Sequence, residues 1–189
     1  MARTPPATLG LALFATALGE CGIAWSAQAI TGVQLPYARR EDTLATLRAR
    51  FPGCGEATAP AWVQAVMADV VAQLQGDAQA DARLAAVPLD MALAPPFHQQ
   101  VWQAARRIPM GQTLGYGEFA ALLGQPGAAR AVGQALGANP FAPIVPCHRV
   151  LAKGQGAGGF SAPGGVDTKL RMLQAERARF GAPGLFDAD

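Results

Sequence analysis

Residues 116–137, YGEFAALLGQPGAARAVGQALG, contain two short amphipathic patterns with a glycine-rich turn between them. The first pattern ends at Gly124, and the second begins after Gly127. Apolar residues at three- and four-residue spacing predict a helix on each side of this turn. Two helices joined in this way are typical of a helix-turn-helix, a motif that binds DNA. Many helix pairs turn on a glycine without touching DNA, so the pattern alone leaves both interpretations open.

A proline pair upstream of this motif divides the chain. Pro95-Pro96 precedes a helical stripe that runs from Phe97 to Ile108 and ends at Pro109. Because proline interrupts regular structure, we expect a domain boundary at the pair. The predicted domains are residues 1–94 and residues 95–189.

The first domain is predicted to begin with a small β-sheet. Short apolar runs between turn residues predict three strands, at residues 11–16, 21–26 and 30–35. Helical spacing then predicts a helix that ends at Pro52-Gly53 and another from Pro60 to Gly76. The charged and small side chains of residues 77–86 are interpreted as a connecting segment.

Composition excludes several classes of protein. With 51% apolar and 15% charged residues, this 189-residue chain is typical of a globular protein and not of a disordered one. Three cysteines cannot form a disulfide framework, and only two histidines are present, so we expect no metal site. From Phe97 onward, nine Lys and Arg residues outnumber five Asp and Glu residues. This excess weakly favours an anionic partner for the second half.

The amino-terminal apolar run needs a separate interpretation. Residues 9–18 follow Arg3 and precede Ala27-Gln28-Ala29, an order that imitates an export signal. Glu20 and two glycines interrupt the pattern, and a strand with a hairpin explains it better. No stretch approaches the roughly 18 apolar residues of a membrane helix, so no membrane partner is expected.

A cysteine–histidine pair is the chemically most informative feature. Cys147 is followed directly by His148, in a segment stiffened by Pro140, Pro143 and Pro146. A thiol becomes a strong nucleophile when a neighbouring base removes its proton. Adjacent residues on a strand or helix point apart, so direct contact would need a tight turn or a bridging water. A lone cysteine is more often a small buried apolar residue, and Cys21 and Cys54 are interpreted in that way.

Several ordered motifs around this pair resemble one known family. They are Tyr116-Gly-Glu-Phe-Ala-Ala-Leu-Leu-Gly124, Ala128-Ala-Arg-Ala-Val-Gly133, Asn139-Pro140, Pro146-Cys-His-Arg-Val150 and Gly158-Gly-Phe-Ser161. Together they resemble the O6-alkylguanine-DNA alkyltransferases, which repair DNA by direct reversal of damage. The resemblance covers residues from about Phe97 to Glu176, whereas the preceding residues resemble the variable amino-terminal domain of that family only loosely.

The resemblance implies a chemical role for four residues. Cys147 would accept the alkyl group from O6 of guanine in an irreversible reaction that consumes the protein, and O4 of thymine is a second candidate source of the group. His148 would be its water-relayed base, Glu176 would orient the imidazole, and Asn139 would hold the turn around the nucleophile. Without the resemblance, Glu176 is better explained as a solvated residue on a helix.

The resemblance also implies how damaged DNA is bound. The recognition helix would enter the minor groove, and the damaged base would be flipped out of the duplex. Arg130 would fill the space that the base leaves, and Tyr116 would help to rotate the nucleotide. The small residues Ala128 and Ala129 would allow close approach to the groove. Val150 and Ser161 would line the base pocket. Phe160 stands where some members carry tyrosine, so we expect altered tolerance of bulky alkyl groups.

The expected fold is of the α/β (α+β) class. The resemblance implies an amino-terminal three-layer domain of sheet and helices, of ribonuclease H-like type, and a carboxy-terminal helical domain with a winged-helix-like helix-turn-helix. It further implies a cytoplasmic, nucleoid-associated monomer that needs no cofactor and binds double-stranded DNA containing O6-alkylguanine. Two alternatives stay open: a protein that binds alkylated DNA without transferring the group, and an unrelated thiol hydrolase or redox protein.

Overall fold

The computed structural model describes residues 8–152 and 158–179, and its first half is built on an antiparallel sheet. The strands are β1 (Gly10–Thr16), β2 (Gly19–Trp25) and β3 (Ile30–Gln34). They pair in the order β1-β2-β3, with Gly10 opposite Trp25 and Gly22 opposite Gln34. A tight turn that ends at Gly19, whose positive φ of 131° suits glycine, joins the first two strands. The predicted three-stranded sheet is therefore confirmed.

Three helices follow the sheet. They are α1 (Arg40–Arg50), α2 (Ala61–Gln73) and α3 (Ala78–Leu84). The interpretation of residues 77–86 as a connecting segment was wrong, because most of them form α3. Asp77 caps this helix by accepting hydrogen bonds from the backbone N–H groups of Gln79 and Ala80. Ala80 and Leu84 are buried, and their contacts stabilise a helix whose other residues look like those of a loop.

The second half is mainly helical. Its elements are α4 (Pro96–Ala105), β4 (Leu114–Gly115), α5 (Tyr116–Leu122), α6 (Ala129–Gly137), a 3-10 turn (Cys147–Arg149), β5 (Val150–Leu151) and α7 (Gly165–Ala175). The predicted helix pair is present as α5 and α6, with the turn between them at Gly124 and Gly127. The short parallel pair of β4 with β5 is not predicted by the sequence.

One apolar core extends through both halves. Val33 and Leu74 from the first half belong to the same buried cluster as Trp102 and Phe141 from the second. The Trp102 indole N–H donates to the carbonyl of Ala135 at 2.7 Å, which fixes α4 against α6. The mixed α/β class is confirmed. The architecture is compatible with the ribonuclease H-like and winged-helix labels, which stay predictions, as does the boundary at residue 95.

The sheet also holds the segment that precedes Cys147. The backbone N–H of Val33 donates to the carbonyl of Pro140 at 2.9 Å. The Arg50 guanidinium donates to the same carbonyl at 3.1 Å and to that of Val33 at 3.0 Å. None of the helices in residues 8–152 and 158–179 could span a membrane.

Candidate active site

Cys147 lies on a tight, buried 3-10 turn. Pro146 precedes the turn, and the N–H of Cys147 donates to the carbonyl of Val145 at 2.8 Å. The Asn139 side-chain amide donates to the Val145 carbonyl at 2.9 Å and to the Cys147 Sγ at 3.3 Å. The Asn139 Oδ1 accepts from the N–H of Phe141 at 2.9 Å. Asn139 therefore fixes both the approach to the turn and the sulfur atom.

His148 and Glu176 form a buried pair. His148 Nε2 lies 2.7 Å from Glu176 Oε1, although 28 residues separate them in sequence. The carboxylate can only accept, so it holds the imidazole proton on Nε2 and leaves Nδ1 as the acceptor nitrogen. Among the described residues, Nδ1 is buried without a hydrogen-bond partner. An imidazole held in this tautomer can accept a proton at Nδ1.

Opposite effects act on the acidities of this pair. Burial lowers the pKa of His148 and outweighs the bond from Glu176, which would raise it, so the imidazole is neutral near pH 7. Burial alone would raise the pKa of Glu176, but hydrogen bonds from His148 and Arg149, together with the positive charge of Arg149, lower it to about 2. Glu176 is only 8% exposed, so it is not the solvated helix residue that its neighbours in sequence suggest.

A buried lysine stands beside the thiol. Burial raises the pKa of Cys147, while the Asn139 hydrogen bond and the charge of Lys169 oppose that rise. The Lys169 Nζ donates to the carbonyl of Val150 at 2.7 Å and lies 6.0 Å from the centre of the Tyr116 ring. Burial lowers the pKa of Lys169 to about 8, against an opposing effect from Cys147. Lys169 therefore supplies positive charge near the nucleophile.

The sequence motifs alone indicate no role for Lys169 or Arg149. Lys169 does carry a signal, because Met172 and Leu173 place it on the apolar face of α7, where a lysine is unusual. In the sequence, Arg149 stands out only as part of the motif at residues 146–150. Its partners Asp81 and Glu176 are 68 and 27 residues away in sequence, and no local pattern connects them.

Two cavities meet at Cys147. One, of about 370 Å³, is also lined by Tyr116, Gly133 and Ser161. The other, of about 290 Å³, is shared with Asn139 and residues of the first half. The Ser161 hydroxyl donates to the carbonyl of Gly137 at 2.8 Å and holds its loop against α6. The structure thus places Tyr116 and Ser161 in one cavity with the thiol, whereas Val150 is buried beneath and its carbonyl accepts from Lys169.

The start of α6 forms a separate surface. Arg130 is exposed there and makes no ion pair with any residue of the described ranges. Arg130 and Ala129 line a wide groove of about 930 Å³ together with Tyr116, and Ala128 is partly exposed beside them. Within those ranges no group of three or more His, Cys, Asp or Glu side chains could hold a metal ion. The expected absence of a metal site stays a prediction for the whole chain.

Comparison with known proteins identifies the family. The family model described as 6-O-methylguanine DNA methyltransferase, DNA binding domain, matches residues 96–178. The Mycobacterium tuberculosis O6-methylguanine methyltransferase, known from a crystal structure, is 32% identical in sequence to this chain. The two structures superpose with a TM-score of 0.66 over 93% of this chain and 95% of that one. The chain belongs to the O6-methylguanine-DNA methyltransferase family. The resemblance drawn from the sequence motifs is therefore confirmed.

Other relatives match over different lengths. The Salmonella typhimurium methylated-DNA–protein-cysteine methyltransferase is 53% identical over 81 residues, which are 43% of this chain and 46% of that protein. Regulatory protein ada of the same organism is 37% identical over 158 residues, which are 84% of this chain and 42% of that protein. The matched regions thus span about half the length of these curated relatives. The Mycobacterium tuberculosis OGT, crystallised in complex with DNA, is 29% identical over 92% of this chain and 96% of its own, with a TM-score of 0.69.

Proposed function

We propose that this protein repairs DNA by transferring an alkyl group from O6 of guanine to its own Cys147. The observation that carries the proposal is the buried thiol held by Asn139 beside the His148–Glu176 pair, in a chain of the methyltransferase family. Nucleophile, base and orienting carboxylate are the three parts that activation of a cysteine requires.

The reaction is a displacement at the alkyl carbon. The Cys147 proton passes to His148 Nδ1 through a water molecule, and the resulting thiolate attacks the carbon bound to O6. The sulfur–carbon bond forms as the carbon–O6 bond breaks, and the electron pair stays on the guanine, which takes up a proton. A thioether is a poor leaving group, so each protein molecule reacts once.

The surroundings of the thiol suit a nucleophile that is used once. Because burial raises its pKa, the resting thiol is protonated and protected from adventitious reaction. The Asn139 amide and the charge of Lys169 stabilise the thiolate when it forms. Glu176 keeps its negative charge and stabilises the imidazolium that His148 becomes.

The substrate is double-stranded DNA that contains O6-alkylguanine. The exposed Arg130 and the partly exposed Ala128 and Ala129 suit a recognition helix in the minor groove, with the damaged base flipped out. Tyr116 would rotate the nucleotide, and Ser161 would contact the base in the cavity that both residues share with Cys147. Val150 is buried and lines neither cavity at Cys147, so it would support the pocket without touching the base. The protein would act as a monomer without a cofactor, in the cytoplasm and on the nucleoid, with residues 1–94 as a supporting domain.

The test is restoration of guanine in DNA. Excess duplex containing one O6-methylguanine is incubated with the protein, then digested to nucleosides, and the remaining lesion is quantified. We expect one lesion removed per protein molecule and no further turnover. Continuous turnover would contradict self-alkylation and favour a hydrolase, and tight binding without repair would favour a protein that only recognises the lesion.

A further inference from the structure

Arg149 is a buried cation with a complete set of partners. It is 1% exposed, and each of its three guanidinium nitrogens donates hydrogen bonds. The Nε donates to both oxygens of Glu176, at 3.2 and 3.0 Å. The Nη1 group donates to Asp81 Oδ2 at 3.2 Å and to the carbonyl of Ile108 at 2.7 Å. The Nη2 group donates to Asp81 Oδ1 at 2.6 Å and to Glu176 Oε1 at 2.8 Å.

Asp81 and Glu176 hold Arg149 from the two halves of the chain. Asp81 lies on α3, in the half before residue 95, whereas Glu176 follows α7. A guanidinium can form parallel bonds to a carboxylate, and Asp81 accepts from both terminal nitrogens in that way. Arg149 therefore cannot turn away from Glu176 without breaking its bonds to Asp81.

The orientation of Glu176 depends on Arg149. Its Oε1 accepts from His148 Nε2 at 2.7 Å and from two nitrogens of Arg149, and its Oε2 accepts from Arg149 Nε. A rotation of the carboxylate toward Arg149 would move Oε1 away from the imidazole. The bond to His148 is thus sensitive to where the guanidinium is held.

Asp81 is itself fixed from the first half. The Gln73 side-chain amide, from the last residue of α2, donates to Asp81 Oδ1 at 2.8 Å. The cap at Asp77 fixes the first turn of α3, which contains Asp81. A chain of direct bonds therefore runs from α2 through Asp81, Arg149 and Glu176 to His148.

We propose that Asp81 is a positioning residue for the transfer reaction, which acts by holding Arg149 so that Glu176 stays bonded to His148. This inference rests on the proposed function. Through Asp81, the first half of the chain takes part in the chemistry, although that half contributes neither the nucleophile nor the base.

The test is the variant Asp81→Asn, which keeps the size of the side chain but loses its charge and one acceptor. At saturating duplex containing O6-methylguanine, we expect the rate of methyl transfer to fall about tenfold or more. The DNA concentration for half-maximal rate should not change. Asp81→Glu keeps the charge and should have an intermediate rate, and all variants are compared at a temperature where thermal melting shows them folded.

A second readout does not depend on activity. With ¹⁵N-labelled histidine, the Nε2–H of His148 should give a downfield proton resonance, since it donates a short bond to a carboxylate. In Asp81→Asn this resonance should shift or broaden. If the wild-type protein transfers no methyl group, the proposed function fails, yet this resonance still decides whether Asp81 positions the imidazole.

Asp69→Asn is the matched control. Asp69 on α2 accepts two bonds from Arg83 on α3, at 2.9 and 2.7 Å, so it holds the same helix without contacting Arg149. We expect this variant to keep the wild-type rate and the wild-type resonance. The proposal is overturned if Asp81→Asn keeps both, or if Asp69→Asn changes both to the same extent.

Discussion

At the scale of single side chains, Glu176 and Lys169 show opposite consequences of burial. Glu176 accepts hydrogen bonds from His148 and Arg149 and keeps its negative charge. Lys169 donates a hydrogen bond to one backbone carbonyl, and its pKa falls to about 8. Sequence comparison with a family suggested the role of Glu176. Its own neighbours, Arg177 and Arg179, indicate solvent instead. The burial that decides the behaviour of both residues comes from tertiary contacts that no local pattern records.

The low pKa of Glu176 predicts a pH dependence of stability. In the unfolded chain Glu176 binds a proton near its ordinary pKa of 4.5, and in the folded protein only near 2. The charged form therefore stabilises the fold above pH 4.5, and this contribution is lost as the pH falls toward 2. Its full size is about 3 kcal/mol. Burial also lowers the pKa of His148, so the unfolded chain binds the His148 proton more readily than the folded protein does. The fold therefore also loses stability through His148 as the pH falls below 6.5.

Urea unfolding of the wild-type protein and of Glu176→Gln, from pH 6 to pH 3, measures this contribution. The free energy of unfolding of the wild-type protein should fall more steeply below pH 4.5 than that of the variant. Glu41→Gln, at an exposed site, is the control and should keep the wild-type slope. If the free energy of unfolding of the wild-type protein and of Glu176→Gln fell in parallel with pH, the ion pair of Glu176 with Arg149 would be contradicted.

At the scale of elements, periodicity predicted the sheet and the long helices, and it failed at α3. Leu84 is the single large apolar residue of α3, so this helix has no clear apolar stripe, and the burial of Ala80 and Leu84 becomes evident only in the folded chain. The parallel pair β4–β5 has two residues in each strand, which is too short for an alternation pattern. The predicted α5 and α6 had both a periodic stripe and a glycine turn, and both helices are present.

The start of α6 carries a prediction about DNA. If Arg130 fills the gap left by the flipped base, Arg130→Ala should slow repair in duplex DNA about tenfold or more, because unstacking costs a few kcal/mol. Its reaction with free O6-alkylguanine should be nearly unchanged. Single-turnover rates with both substrates measure the difference.

Arg48→Ala on α1 is the control for loss of one exposed positive charge, and it should affect neither rate. Equal slowing of Arg130→Ala on duplex and free base would contradict the role in base flipping.

At the scale of the whole molecule, the site depends on contacts between the two halves. The Arg106 guanidinium donates to the carbonyls of Leu84 and Val87, at 2.8 and 2.7 Å, and Gly76 lies against the carbonyl of Ala175. The predicted boundary at residue 95 rests on the proline pair Pro95-Pro96, and the sequence could not show how closely the two halves approach. Such contacts join residues that are far apart in the chain and have no common motif.

Gly76 tests this close approach. It has a φ of 90°, and a Cβ there would collide with the Ala175 carbonyl next to Glu176. Gly53 has a similar φ of 84°, but a Cβ there would meet nothing within 4 Å. Both substitutions by alanine suffer the backbone strain of a positive φ, so their difference isolates the collision. We expect Gly76→Ala to be less stable than Gly53→Ala by about 1–3 kcal/mol in thermal or urea unfolding. Equal stability would contradict the contact.

The central claim is that Cys147 receives the alkyl group, and intact-protein mass measures it directly. Wild-type protein and Cys147→Ser are each mixed with excess duplex containing one O6-methylguanine, and peptide mapping follows. We predict that the wild-type protein gains the mass of one methyl group and no more, on the peptide that contains Cys147. Cys147→Ser should gain none and still bind the duplex. Methylation of Cys147→Ser, or of Cys21 or Cys54 in the wild-type protein, would contradict the account.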